Sequence, residues 1–165
     1  TSRIVPEVVQ AAGGTIVITR VGHTFVKAAM AEHNAIFGGE HSAHYYFRDF
    51  WGADTGMLAA LHVLAAVGHA DRPLSQLVAR FDRYAASGEI NSQVEDQQMI
   101  MDRVATAFAG RGDQDRIDGL TISGPDWWVN VRPSNTEPLL RLNVEAANAE
   151  TMEALRDETL GLIRA

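Results

Sequence analysis

Arg132, Ser134, Asn135 and Thr136 lie close together in the run Arg132-Pro133-Ser134-Asn135-Thr136-Glu137-Pro138. A planar guanidinium fork beside hydroxyls, an amide and the N–H groups of a turn supplies the donors that a phosphate dianion requires. Pro133 and Pro138 have no N–H to give and stiffen the chain on either side. A connection between strands ordinarily needs only turn residues such as Gly, Asn or Asp. This one has no Gly and more donors than a turn uses. The alternative is a rigid polar turn in which Arg132 pairs with Glu137. Arg141 leaves the far end of the loop and either joins the site or pairs with Glu145.

A second polar cluster is Gly39-Glu40-His41-Ser42-Ala43-His44. In extended chain, side chains alternate, which puts Glu40, Ser42 and His44 on one side and His41 and Ala43 on the other. A carboxylate, a hydroxyl and an imidazole on one edge can grip vicinal sugar hydroxyls, each of which donates once and accepts twice. Glu40, His41 and His44 are also ligand types that suit zinc, but alternation sends the two histidines apart. His23 precedes a helix start, where free N–H groups favour an anion; a histidine satisfied by backbone at a helix cap is the other reading. Lys27, the only lysine, reads as a solvated helix residue. His33, His62 and His69 read as structural or surface, and Trp127 and Trp128 as core and edge packing.

The heptad at 132–138 resembles the phosphate-binding loop of the α-D-phosphohexomutases, Arg-x-Ser-Asn-Thr-x-Pro. The Gly-Glu-x-Ser-x-His pattern at 39–44 resembles the same family's sugar-recognition loop, and Gly22-His23-Thr24 is similar to its Gly-His-Ser/Thr cleft motif. The resemblance implies that Glu40 and Ser42 contact the sugar hydroxyls at positions 3 and 4. It groups His44 and His23 with them, and gives a phosphate to Arg132, Ser134, Asn135 and Thr136, with Arg141 at the loop's end. It implies a phosphomannomutase/phosphoglucomutase that acts through a hexose 1,6-bisphosphate on mannose and glucose 1- and 6-phosphates. A phosphoglucosamine or glucose-only enzyme is the alternative within the family, and a non-catalytic sugar-phosphate-binding protein the alternative outside it.

The family's phosphoserine loop and its Asp-rich Mg²⁺ loop do not occur in the sequence, and Asp113-Gln114-Asp115-Arg116 reads as a solvated loop. The expectation is therefore a fragment with recognition residues only: no catalytic residue, no metal ligand, inactive alone, and partnered by absent N-terminal domains of the same chain. Mg²⁺ would be bound by that absent part.

The elements that must position these loops follow from pattern. Composition is ordinary for a globular chain, with 46% hydrophobic and 21% charged residues over 165 positions. Net charge is −7; residues 1–88 balance seven basic against seven acidic side chains, and residues 89–165 set seven Arg against fourteen Asp and Glu. That acidic half has the wrong field for nucleic acid. The longest apolar run, Met57 to Val67, is short of the ~20 residues that cross a bilayer. Zero cysteines fit a reducing cytoplasm.

The first half reads as an incomplete α/β layer, 1–88. Its parts are a helix from Ile4 to Ala12 capped by Ser2, a buried β-branched strand Thr15–Thr19, a helix from Phe25 to Asn34, and a strand from Ala35 into the Glu40 loop. Asp54 caps an apolar helix, Gly56 to Val67, and Pro73 opens a helix carrying Leu74, Leu77, Val78, Phe81 and Tyr84 to about Ala86. By resemblance this is the family's third domain, truncated before its first strand.

The second half, 89–165, reads as α+β. Glu89 to Val94 forms a strand, although Ser92-x-x-Glu95 also has the form of a capping box. A helix with Ile100, Met101, Val104 and Phe108 inward follows, then strands Ile117–Ile122, Trp127–Arg132 and Leu139–Glu145, and a last helix capped by Asn148. Consecutive strands flanked by two helices predict an antiparallel sheet with helices on one face, as the family's fourth domain would have.

Overall fold

The computed structural model describes residues 1–134 and 137–165; Asn135 and Thr136 of the expected phosphate loop lie outside the described residues. The chain divides into two compact units, Thr1–Arg83 and Tyr84–Ala165.

In the first unit, Ser2 Oγ accepts the Ile4 N–H at 3.3 Å at the start of α1 (Ile4–Ala11). Next comes α2 (His23–His33), ended by Asn34 in the left-handed region, φ 49°. A small antiparallel meander then joins β1 (Phe37–Gly39), β2 (Tyr45–Phe47) and β3 (Ala53–Asp54). Val26 and Met30 of α2 pack on Tyr46 of β2. Two helices complete the unit, α3 (Gly56–Gly68) and α4 (Leu74–Ala79).

Three expectations fail in this unit. The β-branched run Thr15–Thr19 joins no strand, and Ile18 is 72% exposed. β-Propensity is a fit to neighbours on a pleated surface, and among the described residues nothing pairs with this run. The helix opened by Pro73 stops at Ala79, where the N–H of Phe81 turns back to the Val78 carbonyl at 2.8 Å. Phe81 and Tyr84 therefore lie off its stripe. Asp54 does not cap α3: Thr55 Oγ1 accepts the Leu58 N–H at 3.3 Å instead.

The second unit is one antiparallel sheet with two helices. Its strands are β4 (Ala85–Ala86), β5 (Ile90–Gln93), β6 (Asp113–Asp115), β7 (Leu120–Ser123), β8 (Trp127–Pro133) and β9 (Leu139–Ala146). The order is β4-β9-β8-β7-β6, and β5 shares β9's outer edge with β4. The boundary expected after residue 88 falls inside this sheet, because Ala85 and Ala86 pair with Ala146 and Glu145. Asp113–Asp115, read as a loop, is instead the exposed strand β6, paired with β7.

Period-two alternation decides which face is covered. Leu120, Ile122, Val129, Val131, Leu140 and Leu142 are completely buried. They pack against α5 (Gln97–Ala107) and α6 (Ala149–Arg164) through Ile100, Val104, Met152 and Leu155. Asp96 and Asn148 cap the two helices, accepting from Met99 and Thr151 at 2.9 and 2.8 Å. The opposite face carries Asn130, Arg132, Arg141 and Asn143, paired in register across β8 and β9. Glu145 is 4% exposed and accepts the Trp128 indole N–H at 3.1 Å.

Candidate functional site

Residues 40–44 form a tight hairpin turn rather than extended chain. The Glu40 N–H donates to the His44 carbonyl at 3.0 Å and the Ala43 N–H to the Glu40 carbonyl at 3.1 Å. Ala43 sits in the left-handed region at φ 64°. The alternation argument therefore does not apply here. Even so, Glu40, Ser42 and His44 line one cavity of about 330 Å³ together with His23, Lys27, Tyr46 and Asp54. The turn curls these side chains to the side that alternation would also have chosen.

Both Glu40 oxygens are held. Oε2 accepts the Gly22 N–H at 2.9 Å and Oε1 the Tyr46 hydroxyl at 2.5 Å. Tyr46 is completely buried; that burial, followed by its bond to Glu40, pushes its phenol well above the usual tyrosine range. Gly22 reaches Glu40 from φ 126°, a backbone conformation that only glycine adopts without strain. A carboxylate has about four lone-pair directions, so two remain for a ligand.

His44 Nδ1–H donates to Asp54 Oδ2 at 2.5 Å, and Asp54 Oδ1 accepts the Tyr45 N–H at 3.1 Å. The bond to Asp54 and its charge raise the imidazole above the ordinary histidine value, and the bond to His44 lowers the Asp54 carboxyl. With Nδ1 committed, Nε2 is the nitrogen left for a ligand. His23 opens α2, and Lys27 follows one turn later on the same face. Lys27, read as solvated, is exposed and also lines the cavity. Among the described residues no three His, Asp or Glu side chains converge as a metal site, so Glu40, His41 and His44 do not form the zinc set considered above.

The expected phosphate cradle is assembled differently from either reading of its arginines. Arg132 does not pair with Glu137, nor Arg141 with Glu145. One Arg132 guanidinium nitrogen donates to Glu89 Oε2 at 3.0 Å and one of Arg141 to Glu89 Oε1 at 3.1 Å. Arg132 and Arg141 are directly opposed across β8 and β9, so the sheet does bring them together. Ser134 is half-buried at the loop's start, and its N–H is committed to the Leu139 carbonyl at 2.9 Å. Any backbone donor for an anion must come from elsewhere in the loop. Gln97, at the start of α5, braces the return strand by donating to the Leu139 carbonyl at 3.0 Å. Gly119 packs so closely that a Cβ there would lie 2.6 Å from the Arg132 Cα. A larger residue would displace the arginine.

Sequence reasoning missed Asp54, Tyr46, Lys27 and Glu89. Asp54 had a visible rival for the cap in Thr55, the next residue. Lys27 was marked by its spacing of one turn from His23, and nothing local marked Tyr46 or Glu89.

Two family models together match most of the chain. Phosphoglucomutase/phosphomannomutase, alpha/beta/alpha domain III, matches residues 1–84, and phosphoglucomutase/phosphomannomutase, C-terminal domain, matches residues 89–162. A phosphomannomutase of Methanocaldococcus jannaschii is 41% identical over 98% of this chain and 36% of its own length. One from Salmonella montevideo is 46% identical over 94% of this chain and 35% of its own. A phosphoglucomutase/phosphomannomutase family protein of Burkholderia thailandensis superposes with a TM-score of 0.83 at 27% identity, covering 98% of this chain and 35% of that one. The chain thus spans about a third of the length of these relatives.

Proposed function

The chain belongs to the phosphoglucomutase/phosphomannomutase family, and from that premise we propose that it supplies sugar and phosphate recognition to a hexose phosphate mutase. The proposed reaction interconverts hexose 1-phosphate and hexose 6-phosphate through a bisphosphate intermediate. The relatives named phosphomannomutase favour mannose phosphates among the substrates. The observation that carries the reading is the convergence of Glu40, Ser42, His44 and His23 on one cavity, whose volume falls within the usual range of small-ligand sites.

Within that reading each side chain has a task. Glu40, fixed at both oxygens, accepts from two sugar hydroxyls; His44, fixed at Nδ1, offers Nε2; and Ser42 adds a hydroxyl that can donate or accept. Lys27 gives the cavity a positive charge, and His23 a ring nitrogen, for the charged end of the substrate. Arg132, Ser134 and Arg141, with Asn135 and Thr136, hold the phosphate that is not reacting. Holding a remote group converts binding energy into orientation of the reacting one. Phosphoryl transfer itself, and any magnesium that assists it, is assigned to the rest of the protein. The chain by itself is proposed to be inactive.

Two titrations followed by backbone amide shifts test this. Mannose 1-phosphate should move residues 22–27 and 40–44, and inorganic phosphate should move Ser134 and its loop, with affinities on the order of millimolar. Arg132→Ala should abolish most of the phosphate response, and Arg132→Lys should not restore it, because a point charge lacks the planar fork. Phosphate shifts confined to His23 and Lys27, with Ser134 unmoved, would sink the cradle. Sugar-phosphate shifts that bypass residues 40–44 would sink the sugar site.

A further inference from the structure

Arg132 and Arg141 face one another directly across β8 and β9, where like charges destabilise a sheet. Glu89 lies between them and gives one carboxylate oxygen to each. A carboxylate that meets a single arginine frequently takes two of its parallel N–H groups, as Glu158 does from Arg111. Glu89 gives up that fork to span two, and Arg141 Nε is left buried with no acceptor among the described residues. The arrangement orders two cations at the mouth of the 132–138 loop without saturating Arg141.

The backbone is built to put Glu89 there. β4 meets β9 with Ala86 opposite Glu145, whereas β5 meets it with Ile90 opposite Leu142, a slip of one residue. Continued without the slip, β4's register would set Glu89 opposite Leu142, on the apolar face covered by the helices. A one-residue slip moves a side chain to the other face, here the face of Arg141 and Arg132. The extra residue is taken up at Ser87 and Gly88. Ser87 Oγ accepts the Val144 N–H at 2.9 Å, and Gly88 has φ 67°. Bulges of this kind re-aim side chains beside functional sites.

We infer that Glu89 is a positioning residue of the phosphate site, the resident anion that holds Arg132 and Arg141 side by side so that both guanidinium groups are aligned when phosphate arrives. The inference rests on the reading of 132–138 as a phosphate loop. It makes an uncommon demand of sign. Removing a negative charge next to an anion site should strengthen binding on electrostatics alone, but here it should weaken it. In Glu89→Gln the amide keeps one acceptor and turns an NH₂ donor toward the other arginine, so the pair comes apart.

The experiment titrates inorganic phosphate into the whole 165-residue chain and its variants, with Tm recorded for each. Glu89→Gln should raise the phosphate Kd by roughly tenfold, the scale of one charge-assisted hydrogen bond lost. Glu89→Asp, which keeps the charge but is one methylene shorter, should fall between it and the wild type. Equal or tighter binding by folded Glu89→Gln overturns the positioning role. Should Glu89→Gln fail to fold, Glu89→Asp decides: unchanged affinity overturns the proposal and a weaker one supports it. No phosphate response in the wild-type chain overturns the phosphate reading itself and this inference with it, an outcome distinct from the loss of the Glu89 effect alone.

Discussion

The two units hold their binding residues by opposite means. In residues 84–165 the loop rises from β8 and β9, whose Val129, Val131, Leu140 and Leu142 are completely buried against two capped helices. In residues 1–83 the buried apolar cluster is Val26, Met30 and Tyr46, and Met57 and Leu64 of α3 are 79% and 65% exposed. There the loop is held by polar bonds, from Gly22 and Tyr46 to Glu40 and from His44 to Asp54. The difference teaches that a binding loop does not need a large core beneath it. A few charge-assisted bonds around one buried tyrosine can orient the carboxylate and imidazole, whereas a pair of opposed arginines needs a stiff sheet to keep it in register.

Core truncation should separate the units most strongly. Leu140→Ala should destabilise the second unit by about 2–5 kcal/mol, read from hydrogen exchange of the β8 and β9 amides. Met30→Ala, measured on amides of α2, should cost less, because the cluster around it is small. A larger loss at Met30 than at Leu140 would break the contrast between the units.

A smaller effect should follow from one hydroxyl. Tyr46→Phe keeps the buried ring but leaves Glu40 Oε1 without its donor. The cost should be about 1–2 kcal/mol, at the low end for bonds to charged groups because Glu40 is only half-buried. Shifts induced by mannose 1-phosphate at residues 40–44 should shrink while the phosphate response at Ser134 stays unchanged. Loss of both responses together would mean that the two loops do not depend on separate scaffolds.

The smallest effect is a titration. His44 is raised by its bond to Asp54, so its contribution to stability is complete below the ordinary histidine value and disappears as pH rises through the raised one. Asp54 is lowered by the same bond, so its contribution is complete above the ordinary aspartate range and disappears as pH falls through the lowered one. The pair is whole between those limits. Its stabilisation is modest, since the side chains are 53% and 36% exposed. In Asp54→Asn the His44 ring, followed by proton NMR, should titrate nearer the ordinary histidine value. No change would show that Asp54 does not control the imidazole.

What sequence alone determined was whatever depends on neighbours along the chain. The runs Trp127–Arg132 and Leu139–Glu145 were legible as the strands β8 and β9, the Asn148 cap began α6 where it was expected, and the two polar runs marked both candidate loops. Propensity by itself misled at Thr15–Thr19, because a strand exists only with a partner to pair with. Tertiary structure decided the rest. Arg132 finds Glu89 43 positions away, and Arg141 finds it 52 positions away. The choice of Glu89 over Glu137 or Glu145 turns on a one-residue slip in how β4 and β5 meet β9. Asp54 turns to His44 because Thr55 takes the helix cap and β3 pairs with β2. Such partners are chosen by register between strands distant in sequence, and register is a property of the packed sheet that no local window of residues contains.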